Sequence, residues 1–202
     1  MNTPSIKSAG LSTLDSICRV LDSHRRPLDF TLVLHLKQAP EVESAAYEQP
    51  ILISENTPVQ VAGFLGGDRV TRVVTKSFFV SELAQTLDLP IISIAMAPEH
   101  FLDVHVRGGR GIGSERPAHM QIFDAQGMPV AATGFGMRLH GAQGRTGGFE
   151  TKKSYRAYFR SIYGDSRLNY PVIPDAGVSS FDKLILRSGF NDTFRRGPDI
   201  GA

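Results

Sequence analysis

Tryptophan is absent from these 202 residues, and cysteine occurs once, at Cys18. A single thiol cannot close a bridge within the chain, so the fold has to stand without an intramolecular disulfide, and a buried free thiol is the expected role for Cys18. No apolar run approaches the roughly 18 residues that a membrane helix needs. Residues 1–21 also lack the basic start and the apolar core of about 7–15 residues that make a secretory signal. No membrane partner is expected, and no compartment is assigned. An excess of one charge is missing too: 22 Lys and Arg stand against 20 Asp and Glu, a formal +2, which does not point to nucleic acid. There is no GxxxxGK[ST] loop. Gly109-Arg110-Gly111-Ile112-Gly113 completes neither register of a dinucleotide-binding GxGxxG. His24, His35, His100, His105, His119 and His140 fall in no metal-ligand spacing, so no metal site made wholly by this chain is expected.

What is present is glycine, 20 residues of it, among β-prone runs, with the apolar (41%) and charged (21%) shares of a globular domain. The most organised stretch is Gly134 to Tyr163. Its incoming arm, Phe135 to His140, alternates large apolar residues with glycine or basic ones, the period of a half-buried strand. Its outgoing arm puts Lys153, Tyr155, Ala157 and Phe159 on one face, and Lys152, Ser154, Arg156, Tyr158 and Arg160 on the other. Between the arms, Gly141, Gly144, Gly147 and Gly148 permit positive φ and close approach of backbone N–H groups to an anion. Charge is gathered here: Arg138, Arg145, Lys152, Lys153, Arg156, Arg160 and Arg167 stand against only Glu150 and Asp165. The pattern fits a phosphate-binding hairpin, although glycine-rich tips are more often ordinary turns between solvated strands.

The rest reads as a mainly β (α+β) chain. A short helix over Ser12 to Leu21 and a strand over Phe30 to Leu36 have no evident packing partner, so residues 1–46 form an unassigned leader. Ile51 to Ile53, Val59 to Phe64 and Arg72 to Val80 are three β-prone runs parted by turns at Glu55–Pro58 and Gly66–Asp68, a spacing that suggests a sandwich. Ser81 to Asp88 reads as a linker, Ile91 to Ala95 as a buried strand, Pro98 to Leu102 as a helical turn, and Ala118 to Phe123 as a strand. Val130 to Leu139 then returns to make an antiparallel meander with the hairpin. Pro171 and Pro174 break regular structure before a last strand at Phe181 to Leu186.

Arg138-Leu139-His140-Gly141, Gly144-Arg145, Lys152-Lys153-Ser154-Tyr155-Arg156, Tyr158-Phe159-Arg160 and Tyr163-Gly164 resemble the signature of the CotH kinase family, the spore-coat proteins and their bacterial secreted relatives. Collinear blocks at Leu89 to Ile94, Glu115 to Ala118, Ile122 to Asp124, Phe181 to Arg187 and Asn191-Asp192 extend the resemblance over about residues 88–198. It implies an antiparallel β-sheet lobe with a glycine-rich hairpin at 88–202. Residues 47–81 resemble part of the Ig-like module, related to fibronectin type III and chitobiase C-terminal domains, that precedes such lobes.

The resemblance makes Lys152 and Lys153 the candidate contacts to ATP phosphates and Arg138, Arg145 and Arg156 their supporting cations. Because Lys152 and Lys153 are adjacent, only one of them can reach a given phosphate. Full-length relatives transfer phosphate from ATP, with Mg²⁺, to protein Ser or Thr, and their acidic groups lie downstream of the Asn191-Asp192 region. The expectation is therefore a truncated, nucleotide-cradling lobe without catalytic residues of its own, binding a nucleotide weakly. A half sandwich would also self-associate through an uncovered edge. The competing reading is a non-catalytic β-rich surface or carbohydrate-associated binding module, which a stop at the same place in several relatives would favour.

Overall fold

A computed structural model of the chain describes residues 30–36, 40–48, 51–80, 88–108, 111–141 and 152–188. Among the described residues the chain is mainly β, with antiparallel pairing between strands and a single short α-helix. Cys18, the Ser12–Leu21 helix, the 81–87 linker, Arg145, Gly144, Gly147, Gly148 and Asn191-Asp192 lie outside the described residues. Two compact units are present: one takes in the described residues up to Ala95 together with Gln121–Pro129, the other Met96–Met120 together with those from Val130 onward.

In the first unit, β1 (Phe30–Leu36), β2 (Thr57–Leu65), β3 (Asp68–Arg69) and β4 (Val74–Phe78) form one sheet. β1 does have a partner, contrary to expectation: it pairs antiparallel with β2 over its whole length, from Phe30 opposite Leu65 to Leu36 opposite Val59. The other edge of β2 takes β3 and β4. With both edges paired, β2 is buried along most of its length. Val59 and Val61 collect Tyr47, Ile53 and Phe78 on one face, and Ala62 and Phe64 collect Val73 on the other. Each of these valines contributes roughly 1.5–3 kcal/mol by leaving water. Gly66 and Gly67 both have positive φ, 59° and 91°, as the tight two-residue turn between β2 and β3 requires. Ile51 to Ile53 joins no ladder: Leu52 is 85% exposed, and Ile53 is used as cover for the Val59–Val61 cluster. β5 (Ile91–Ala95) alternates and is not buried through, with Ile92 and Ile94 exposed and Ala95 buried.

The second unit opens with α1 (Pro98–Leu102), where proline stands at the first helical position because it has no N–H to leave unpaired. A π-helical turn (Asp103–Arg107) and a 3-10 turn (Ile112–Ser114) follow. The remaining strands are β6 (Arg116–Phe123), β7 (Pro129–His140), β8 (Ser154–Tyr158), β9 (Leu168–Asn169), β10 (Ser180–Phe181) and β11 (Lys183–Leu186). A five-stranded sheet has the order β11-β8-β7-β6-β5, so both arms of the expected hairpin lie side by side in one sheet. β9 and β10 make a separate two-residue pairing. The expected single strand over 181–186 is divided at Asp182 into β10 and β11, and the Asp182 carbonyl accepts the Phe159 amide at 2.9 Å, next in register after Lys183 opposite Tyr158. On one face of β7 and β8, Phe135, Met137, Leu139, Ala157 and Phe159 are buried, with the Phe135 and Phe159 rings 6.1 Å apart. No described helix is long and apolar enough to cross a membrane.

Candidate functional site

The other face of the same two strands is built quite differently. β7 and β8 pair so that Gly136 lies opposite Tyr158, Arg138 opposite Arg156, and His140 opposite Ser154. β11 continues the rows with Ile185 opposite Arg156 and Lys183 opposite Tyr158. Residues directly opposite each other in an antiparallel pair share a face, so Arg138 and Arg156 stand side by side, an arrangement that is destabilising unless something negative intervenes. Arg160, just past the end of β8, joins them.

The three guanidinium groups gather around one ring. The Arg138 carbon lies 4.2 Å from the centroid of Tyr158, that of Arg160 5.0 Å and that of Arg156 6.0 Å, within the range where a cation is attracted to the π face. Arg138 and Arg156 also donate to the Tyr158 hydroxyl, Arg156 at 3.3 Å. Desolvation pushes the Tyr158 phenol up, yet hydrogen bonds from Arg156 and Arg138 and their charges outweigh it, and its pKa lies below the ordinary tyrosine value. Tyr155, on the opposite face, is pushed the other way by burial.

Under the arginines sits one carboxylate. Glu115 follows the 3-10 turn in extended conformation, and its side chain is fully buried. It accepts from Arg160 Nε at 3.0 Å and Nη2 at 3.2 Å, a two-point pairing, and from the Tyr163 hydroxyl at 3.3 Å. Arg138 Nε is 3.7 Å away. The hydrogen bonds that Arg160 donates to Glu115 raise the Arg160 pKa, and burial together with the Glu115 charge raises that of Tyr163. Glycine makes this approach feasible. A Cβ on Gly136 would come within 2.7 Å of Glu115 Oε1 and 2.5 Å of the Tyr163 ring. One on Gly134 would fall on the backbone carbonyl of Tyr163.

Three arginines against one glutamate leave this cluster two charges positive, while Lys183 in the same row is paired with Asp182 at 3.4 Å. Glu115 is committed to Arg160 and Arg138. Arg156 meets no carboxylate among the described residues, and its buried Nε has no hydrogen-bond partner. What the arrangement can do chemically is hold an anion in bidentate fashion beside Arg156.

Of the five cations singled out from the sequence, Arg138 and Arg156 are brought together here, and Arg145 lies outside the described residues. Lys152 is exposed just before β8. Lys153 goes the other way: it is 4% exposed, and its Nζ donates to the His105 carbonyl at 2.5 Å on the apolar side, where the His105 ring also meets the Tyr155 hydroxyl and stacks on Phe101. Glu115 escaped the sequence reading as a site residue because it lies 45 positions from Arg160, with no periodicity linking the two. Tyr158 and Arg160 were legible as members of the basic face, but not as its centre.

The chain matches no protein-family model, no curated protein and no solved structure.

Proposed function

We propose that the Arg138–Arg156–Arg160 face is a phosphate-binding site, and that the second unit is the nucleotide-holding β lobe of a CotH-like phosphotransferase. The observation that carries the first half is Arg156: a guanidinium placed opposite another one, with a buried Nε that has no partner. A bound phosphate at the outer guanidinium nitrogens relieves the repulsion between the two arginines. The second half is supported by the collinear sequence blocks, which fall on β7, β8 and β11 and on the Glu115 segment that together make the site. The phosphate contacts are then Arg156 and Arg138, with Lys152 at the approach, while Lys153 braces the opposite side of the sheet.

ATP phosphates fit this donor set. Magnesium does not: no three His, Cys, Asp or Glu residues stand together to hold a metal among the described residues, and Glu115 is already engaged by arginine. When bound, the nucleotide would supply the transferable phosphoryl group, and this chain's part is to orient and neutralise its phosphates.

With two to four contacts each worth on the order of 1 kcal/mol in high dielectric, affinity is roughly millimolar. The test is an NMR or calorimetric titration of the full chain with ATP. Binding that Arg156→Gln weakens about fivefold or more supports the site; binding that is indifferent to Arg156→Gln and Arg138→Gln removes it.

A further inference from the structure

We propose that this face reads the phosphate chain and not the base, so that inorganic tripolyphosphate and pyrophosphate are ligands of it in their own right. The inference rests on the phosphate-binding reading and adds its substrate class.

Recognition of a base on a sheet surface ordinarily needs an aromatic ring with a free face. On this surface the ring at the centre is Tyr158, and its surroundings are already taken by guanidinium groups at 4.2 and 5.0 Å from the centroid. A base stacking there has to displace Arg138 or Arg160, the two arginines that Glu115 holds. Tyr163 is no alternative, since its ring lies over Gly136 with the hydroxyl on Glu115 and forms part of the floor. The remaining positions on β8 and β11, Ser154, Ile185 and Lys183, offer no ring at all. His140, two residues beyond Arg138 on β7, is the one imidazole in the row. What the face does offer is a row of N–H donors backed by a charge of +2, which suits non-bridging phosphate oxygens of any polyphosphate.

The full chain is titrated by NMR with ATP, GTP, CTP, tripolyphosphate, pyrophosphate and adenosine at one ionic strength, alongside its Arg156→Gln variant, whose fold is checked by its own amide spectrum. Expected are equal affinities for the three nucleoside triphosphates within about threefold, tripolyphosphate binding at least as tightly, adenosine silent, and all polyphosphates weakened alike by Arg156→Gln. Two results overturn the inference while leaving the phosphate site standing: ATP binding tenfold or more tightly than tripolyphosphate, or adenosine shifting the β7 and β8 amides. An ATP preference that disappears in His140→Ala would place base recognition at that ring and overturn it equally. Polyphosphates that do not bind at all, or bind without regard to Arg156, overturn both the inference and the reading beneath it.

Discussion

Gly134 and Gly136 stand two residues apart on β7, and each keeps a different neighbour in place. At Gly134 the obstacle to a side chain is backbone: the Tyr163 carbonyl on one side and, reciprocally, Gly164 packed against Gly134. Backbone cannot rotate away, so Gly134→Ala is expected to cost about 3 kcal/mol or more, the upper end of overpacking, and to lower the urea midpoint accordingly. At Gly136 the obstacles are the Tyr163 ring and the Glu115 carboxylate, which can yield. Gly136→Ala should therefore cost less stability and disturb anion binding more. Urea melts and phosphate titrations of the two variants separate these outcomes; equal stability loss in both would contradict the geometry.

Tyr158 carries a residue-scale prediction with a sign. Its folded pKa is below the unfolded value, so ionisation favours the folded chain above the ordinary tyrosine range, near about pH 10, and this contribution disappears as pH falls through the lowered value. The groups facing the phenol are Arg138, Arg156 and Arg160, with Lys183 opposite on β11. A phenolate would satisfy the same donors that the proposed phosphate site offers. Pyrophosphate affinity should thus fall between neutral pH and about pH 10, and Tyr158→Phe, which keeps the ring, should flatten that fall. An identical pH profile in the variant would show that the phenol does not compete.

At the scale of elements, the two faces of β8 explain why neighbouring lysines are not equivalent. Lys153 is buried and braces the π-helical turn through the His105 carbonyl, while Lys152 is exposed. Lys153→Ala should cost about 1–3 kcal/mol by removing the partner of a buried carbonyl. Lys152→Ala should leave stability within about 0.5 kcal/mol and weaken phosphate binding modestly. Thermal melts with a parallel titration would show it, and the reverse pattern would mean that the strand register is wrong. The same turn is tied to the start of β6 by Asp103, which pairs with Arg116 at 2.9 Å and also with Arg107. The Arg116 hydrogen bond, above all, holds the Asp103 carboxyl below its ordinary range. Its stabilising effect is present above that range and is lost as pH falls through the lowered value.

Over the whole molecule the formal charge is only +2, so long-range attraction of an anion by the protein at large is negligible. The proposed binding would have to come from the local imbalance on one sheet face. Such contacts at a partly exposed surface are screened over about 10 Å at 0.1 M salt. Raising salt from low to about 0.5 M should therefore weaken pyrophosphate at least several-fold while leaving the fold intact. Calorimetry at two ionic strengths measures this, and salt-independent affinity would point to a binding mode other than the arginine face.

Much of this was legible in the residue string. Alternation along 135–140 and 152–160 is a local consequence of strand geometry, so it placed Arg156 and Tyr158 on one face of the outgoing arm, Lys153 on the other, and both arms in one sheet, before the register that sets Arg138 opposite Arg156 was known. Gly66-Gly67 and Pro98 announced a turn and a helix start for equally local reasons, φ freedom in the one case and a missing N–H in the other. Only the tertiary structure decided that Phe30–Leu36 pairs with β2, that Ile51 to Ile53 is not a strand and gives only Ile53 as cover, that Lys153 is the buried member of the pair, and that Glu115 lies beneath Arg160 across 45 residues. Period and turn chemistry are set by dihedral angles within a few residues. Which distant segments meet depends on register and on the packing of whole faces, so the counter-charge of the arginine face, and with it the lack of a carboxylate partner for Arg156 among the described residues, is a property of the fold.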